Sequence, residues 1–213
     1  AIPTADLNAL GTTLLQAMTT AQVAVLTATQ VSRLNTTNLS ALLTEQVQAL
    51  NLRAVAALTP TQLSNMTTDQ TSALLTSQVP SISPSALSAM TTDQVSTLGT
   101  SKVAALTGTQ LDAMFTTQLE VLTTAQIGAI NTGALAALSA SDMGALTTTQ
   151  VKALTTTQLP NLTNAQLTNL STAQVSALGT DQLASLTSTQ MNALTAEQIQ
   201  SLTNTQVANL TTT

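Results

Sequence analysis

The sequence predicts an all-α solenoid built from very short helices, one to every eight residues. Three observations predict it. An apolar residue recurs at every eighth place from Ile2 to Leu210 without a break. A Thr usually follows it, with a Gln three residues after the Thr, which is the spacing of a helix-starting capping box. Prolines fall at places that begin a helix or end one.

The register is strict. With Ile2 as position 1, the 27 in-phase octads carry only Leu, Ile or Met there. Position 6 runs Leu7, Leu15, Val23 onward to Val207, and Thr71 is its one polar member. Position 5 is Gln in 18 of 26 octads, position 2 is mostly Thr, and position 8 is mostly Ala. Positions 4 and 7 vary among polar and small residues, as solvent-facing sites do. A continuous helix does not fit, because eight residues make about 2.2 turns and the apolar stripe would rotate by roughly 80° per octad. A plain strand does not fit either, since residues five apart lie on opposite faces.

A helix start repeated every eight residues does fit. Position 2 becomes the N-cap and position 5 the N3 residue whose side chain reaches back to the cap's N–H. The pairs Thr19–Gln22, Thr59–Gln62, Thr147–Gln150 and Thr163–Gln166 are predicted capping boxes. Positions 1 and 6 flank the cap as a hydrophobic staple and supply the core. The core is predicted at Leu26, Val31, Leu58, Leu63, Leu146, Val151, Leu162, Leu167, Leu194 and Ile199. Pro60 and Pro84 stand at N1, where a missing N–H costs nothing. Glu45, Asp69, Asp93, Asp181 and Glu197 stand at N2, facing the positive end of the helix dipole. Pro80 and Pro160, at position 7, end the turn.

A lone turn of helix is unstable, because nucleation is costly. Each octad must therefore lean on its neighbours, as in a solenoid. The expectation is one uninterrupted solenoid over residues 1–213 with no capping repeat at either end. A β-solenoid, with the link as strand and the Thr-rich stretch as turn, is the alternative.

A 48-residue super-period overlies the octad. Gln is absent from position 5 at Asp6, Ala54 and Lys102, and again at Asn38, Ala86 and Ala134. The cap changes in the same octads, to Pro3, Asn51 and Gly99 and to Asn35, Ser83 and Asn131. One reading is duplication of a six-octad block. The other is that loss of both capping partners marks octads in a distinct environment, starting at Leu34, Ile82 and Ile130.

Composition narrows the function. The net charge is -5, with four Lys/Arg, no His, Cys, Trp or Tyr, and Phe115 as the one aromatic. Four cations and no base-stacking platform argue against nucleic acid as a partner. No catalytic, cofactor-binding or metal-ligating constellation is present, and the chain is expected not to be an enzyme. No apolar run is long enough for a membrane span, and AIPTADLNAL does not read as a signal peptide. Asp6 and Asp142 read as alternative N3 acids. Leu43, Leu75 and Phe115 place apolar groups at the cap position, from local packing or as a docking patch. Asn35, Asn38, Asn65, Asn161, Asn169 and Asn209 open Asn-x-Ser/Thr triplets that the repeat itself generates. Rows of Thr such as Thr147, Thr148 and Thr149 resemble the flat faces of ice-binding solenoids.

The octads Leu122–Ala129 ("LTTAQIGA") and Leu170–Ala177 ("LSTAQVSA") resemble the octapeptide arrays of very large secreted or surface proteins of bacteria. That resemblance implies an extracellular structural role. The expected function is a segment or subunit of a filament, fibre or surface layer that self-associates end to end or laterally. The alternative is an adhesin stalk or an ice-binding module with a Thr-rich face.

Overall fold

A computed structural model describes residues 4–210, with side chains from Leu7; Ile2, Pro3 and the side chain of Asp6 lie outside it. The described residues hold 24 α-helices and two 3-10 turns, Val79–Ser81 and Leu159–Asn161, and no strand. This removes the β-solenoid alternative. The stretch between helices is too short to pair as a strand. Its backbone is extended at the position-1 residue, as at Met66 (φ −65°, ψ 149°) and Leu162 (φ −69°, ψ 144°). The Thr-rich stretch that the alternative made a turn is instead the first turn of each helix.

The chain forms two compact units, Ala1–Ala105 and Leu106–Thr213. In the first, Thr20–Ala24 packs on Thr44–Ala49, that helix on Thr68–Ala73, and that on Thr92–Ser96. A second stack runs from Ala28–Ser32 through Leu52–Ala56 to the Val79–Ser81 turn. The third comprises Gly11–Gln16, Thr36–Ser40, Pro60–Asn65 and Pro84–Leu87. The second unit repeats the scheme, for example Thr124–Ala129 on Thr148–Lys152 on Thr172–Ser176 on Ala196–Gln200. Each helix thus packs on the helix three octads along. A five-residue helix advances only about 7.5 Å before the extended link redirects the chain. Three such sides bring the fourth against the first.

Positions 1 and 6 converge inside. Leu26, Val31, Leu58, Leu63, Leu146, Val151, Leu162, Leu167 and Leu194 are buried as predicted. Ile199 is not; it is 40% exposed. No helix 24 residues further along stands among the described residues to pack on it. Val207, at the same position of the next octad, is 53% exposed for the same reason. Thr71 is fully buried in an apolar row, and its hydroxyl donates to the carbonyls of Thr67 (3.2 Å) and Thr68 (3.1 Å). No buried side-chain nitrogen or oxygen among the described residues lacks a partner.

Pro80 and Pro160 each sit inside one of the 3-10 turns. A proline cannot donate, so the local bonds shorten to three residues, as from Ser81 N–H to the Gln78 carbonyl (3.0 Å). Small residues allow close approach of stacked helices. A Cβ built on Gly108 would lie 2.6 Å from the Ala137 Cβ, so only Gly fits there unless Ala137 withdraws.

Candidate functional site

The side chains that organise the chain are the caps and the glutamines. Thr59 has extended backbone (φ −80°, ψ 159°), which turns its hydroxyl toward the helix start. Its Oγ1 accepts from the Gln62 N–H (3.2 Å), while Gln62 Oε1 accepts from the Thr59 N–H (2.9 Å). The same reciprocal pair forms at Thr19–Gln22, Thr147–Gln150 and Thr163–Gln166. Each box satisfies two helix-end donors. At Leu43 and Phe115 half the box survives. Their N–H groups reach Gln46 Oε1 (2.9 Å) and Gln118 Oε1 (2.8 Å), but no side-chain acceptor answers. Both apolar side chains are exposed.

The other end of each glutamine has a second role that the spacing did not reveal. Gln62 Nε2 donates to the carbonyls of Val31 and Leu34, each at 2.7 Å. Gln150 Nε2 reaches Leu119 and Leu122, both at 2.8 Å, and Gln166 reaches Leu135 (2.9 Å) and Leu138 (2.7 Å). Gln70 and Gln94 do the same in the first unit, and Gln158, Gln190 and Gln198 in the second. The acceptors stand 31 and 28 residues back, at position 6 of one octad and position 1 of the next. One buried amide therefore caps its own helix and ties it to the helix packed beneath. Gln22 differs: it is exposed, and its amide has no carbonyl to meet among the described residues. A signal for this role was in the sequence. A capping box takes Glu or Gln at N3, yet none of Glu45, Glu120 and Glu197 stands at position 5. Glutamate would cap equally but could not donate to a carbonyl.

The variant octads are not without caps. Asn35, Asn51, Ser83 and Asn131 accept from the N–H of Asn38, Ala54, Ala86 and Ala134. Their cap angles match the ordinary ones, for example φ −66°, ψ 147° at Asn131. The caps of the octads starting at Leu34, Ile82 and Ile130 thus have ordinary geometry, although the Ile82 octad has a helix of only four residues, Pro84–Leu87. At Ala54 and Ala134, where Ala replaces Gln, an Asn cap does both tasks. Asn51 Nδ2 donates to the carbonyls of Leu26 (2.8 Å) and Ala24 (2.9 Å), and Leu26 is the residue a glutamine at position 54 would reach. Asn131 Nδ2 reaches Leu106 in the same way (2.8 Å). In the Leu34 octad the buried Asn38 donates to the Asn8 carbonyl (3.0 Å).

Asp142 stands at N3 of its helix but forms no capping box: Ser139 Oγ accepts from the Asp142 N–H (3.0 Å), while the Asp142 carboxylate accepts from the Ser139 hydroxyl (2.6 Å) and, through its other oxygen, from Thr116 (3.2 Å). Glu197 is exposed at N2 of Ala196–Gln200. Bonds from its backbone N–H and from the Thr195 side chain hold its carboxyl below the usual range. Among the described residues no group of three or more His, Cys, Asp or Glu could hold a metal ion. No helix among them is long and apolar enough to cross a membrane.

A family model described as "ALTTAQ repeat" matches residues 1–36, 127–156 and 156–188. Its six letters correspond to position 8 followed by positions 1 to 5, as in Ala145–Gln150 ("ALTTTQ"). The chain is similar to that repeat family over these segments. No curated protein matches the chain.

Proposed function

We propose that the chain is a non-enzymatic structural array: a solenoid of 27 octads, three to a coil, that self-associates as part of an extracellular filament, fibre or surface layer. The observation that carries this reading is the glutamine seam. Each coil offers the next a row of carbonyls and an apolar floor, and receives from it a row of amides, so length can extend without a change of chemistry. The octad register runs through residues 105 and 106 without insertion, which supports one continuous array. The 48-residue recurrence of Asn35, Ser83 and Asn131 is read as duplication of a six-octad block, because their caps keep ordinary angles. The resemblance to octapeptide arrays supports an extracellular place. Negative-stain images of the purified chain test the reading: filaments or ordered sheets support it, and discrete particles at every concentration overturn it.

One observation favours the surface-binding alternative. Thr20, Thr44, Thr68 and Thr92 begin four helices packed in one stack, so Thr recurs up one side of the first unit. Thermal hysteresis of the chain, lost on Thr44→Tyr with Thr68→Tyr, would favour that reading over the fibre.

A further inference from the structure

Within the unit Ala1–Ala105 the ties between stacked coils are not evenly spread. From residue 34 to residue 81 every octad sends a side-chain amide to the coil beneath, through Asn38, Gln46, Asn51, Gln62, Gln70 and Gln78. Of the three octads in residues 82–105, the one that holds Gln94 does so. The other two do not. Leu58 and Leu74 are buried, and their carbonyls receive no donor among the described residues. A glutamine at position 86 or 102 would reach them, at the 28-residue step that joins Gln62 to Leu34. The asparagine solution is missing as well. Asn51 reaches Leu26 and Asn131 reaches Leu106, each 25 residues back and 2.8 Å away. The same step leads from Ser83 to Leu58 and from Gly99 to Leu74, but serine carries no amide and glycine no side chain. Lys102 does not substitute, because its Nζ lies 3.9 Å from the place of a Cβ on Gly99, over its own helix start. Thr71, the polar member of the position-6 row, stands in the coil beneath.

We infer that the seam between residues 58–81 and 82–105 is an opening point built into the solenoid, where stacked coils part before the array unfolds. Two buried carbonyls weaken the contact directly, since each gives up its bond to water and gains none in return. The elements on either side are also short. Pro84–Leu87 has four residues, and the octad of Leu74 holds the 3-10 turn Val79–Ser81. A turn of that length does not persist once its neighbour is gone, so parting melts it. Under axial load or mild denaturant the first event is therefore a local opening at this boundary. The inference holds whether or not copies of the chain associate.

Amide hydrogen exchange of the intact chain, read by NMR well below its melting temperature, tests this. The N–H groups of Val47, Leu63, Leu87 and Val103 make a fair comparison. All four residues are buried at position 6, and each N–H donates to the carbonyl at its own position 2. Leu87 and Val103 should exchange roughly tenfold faster than Val47 and Leu63, as two forgone hydrogen bonds imply. Ser83→Asn should slow Leu87 by about fivefold, and since Ser83 already caps its helix, the amide is the one new tie. Gly99→Asn enters without strain, because Gly99 (φ −66°, ψ 151°) shares the backbone of Asn51 (φ −70°, ψ 160°). It should slow Val103 by about fivefold more than Gly99→Ser, which adds a cap alone. Equal exchange at the four amides overturns the inference, and so do asparagine variants that exchange no more slowly than the serine forms.

Discussion

Gln62 holds the Leu34 carbonyl at 2.7 Å with one end of its side-chain amide and the Thr59 N–H at 2.9 Å with the other. A single buried group thereby serves helix initiation and helix stacking together.

Gln62→Glu separates the two roles. The carboxylate still accepts from Thr59 but faces the carbonyl oxygens of Val31 and Leu34 in a buried place. The expected loss is about 3–5 kcal/mol at neutral pH, the cost of an uncompensated buried charge. Burial raises the carboxyl's pKa in the folded state, so the loss should shrink as pH falls and the protonated acid donates to Leu34. Urea denaturation at neutral and mildly acidic pH checks this; equal losses at both would show that no carboxylate sits against the carbonyls.

Asn51 and Ala54 act as a coupled pair. Asn51→Thr keeps the cap and removes the donors to Ala24 and Leu26, for an expected cost of about 1–3 kcal/mol. Adding Ala54→Gln should restore most of it, because the octad then has the ordinary Thr–Gln pair. A double-mutant cycle measures the coupling, and additive losses would contradict it.

Gly108→Ala should destabilise by about 1–3 kcal/mol, since its methyl would lie 2.6 Å from the Ala137 Cβ. Ala137→Gly in the same chain should relieve the clash. If thermal melts of Gly108→Ala match the unmodified chain, the helices are not packed this closely.

Glu197 gives a small acid-dependent term. Its folded pKa is lowered, so its contribution is present above the unfolded carboxylate range and is lost as pH falls through the folded value. The melting difference between the chain and Glu197→Gln should therefore be largest near neutrality and vanish in strong acid. A difference that grows on acidification would reverse the sign.

The octad was legible because each helix start is local. Thr59 meets Gln62 three residues away, and residue type alone announces the pair. The coil was not legible, because the partner of Gln62 is a backbone carbonyl 28 residues back, and every residue type has one. Identical octads also hide which of them touch, so stacking on every third left no composition mark. Ile199 was misjudged because its residue type and register match buried residues such as Ile127, while burial depends on an octad 24 residues away. The variant octads misled in the opposite way. A lost Gln at Ala54 read as a lost function, although the Asn51 side chain had taken it over.

That every octad rests on the third one along has a consequence for how such chains change length. Insertion or loss of a single octad reassigns each helix to a new partner, yet nearly every new partner offers the same pair of acceptors and the same floor. Steps of eight residues are therefore tolerated, although the spatial repeat is 24. The exceptions are neighbours fitted to each other, Gly108 with Ala137 and Gly144 with Asn169, which a one-octad slip between them would part. Tailored pairs of that kind, more than the common octad, fix a particular length.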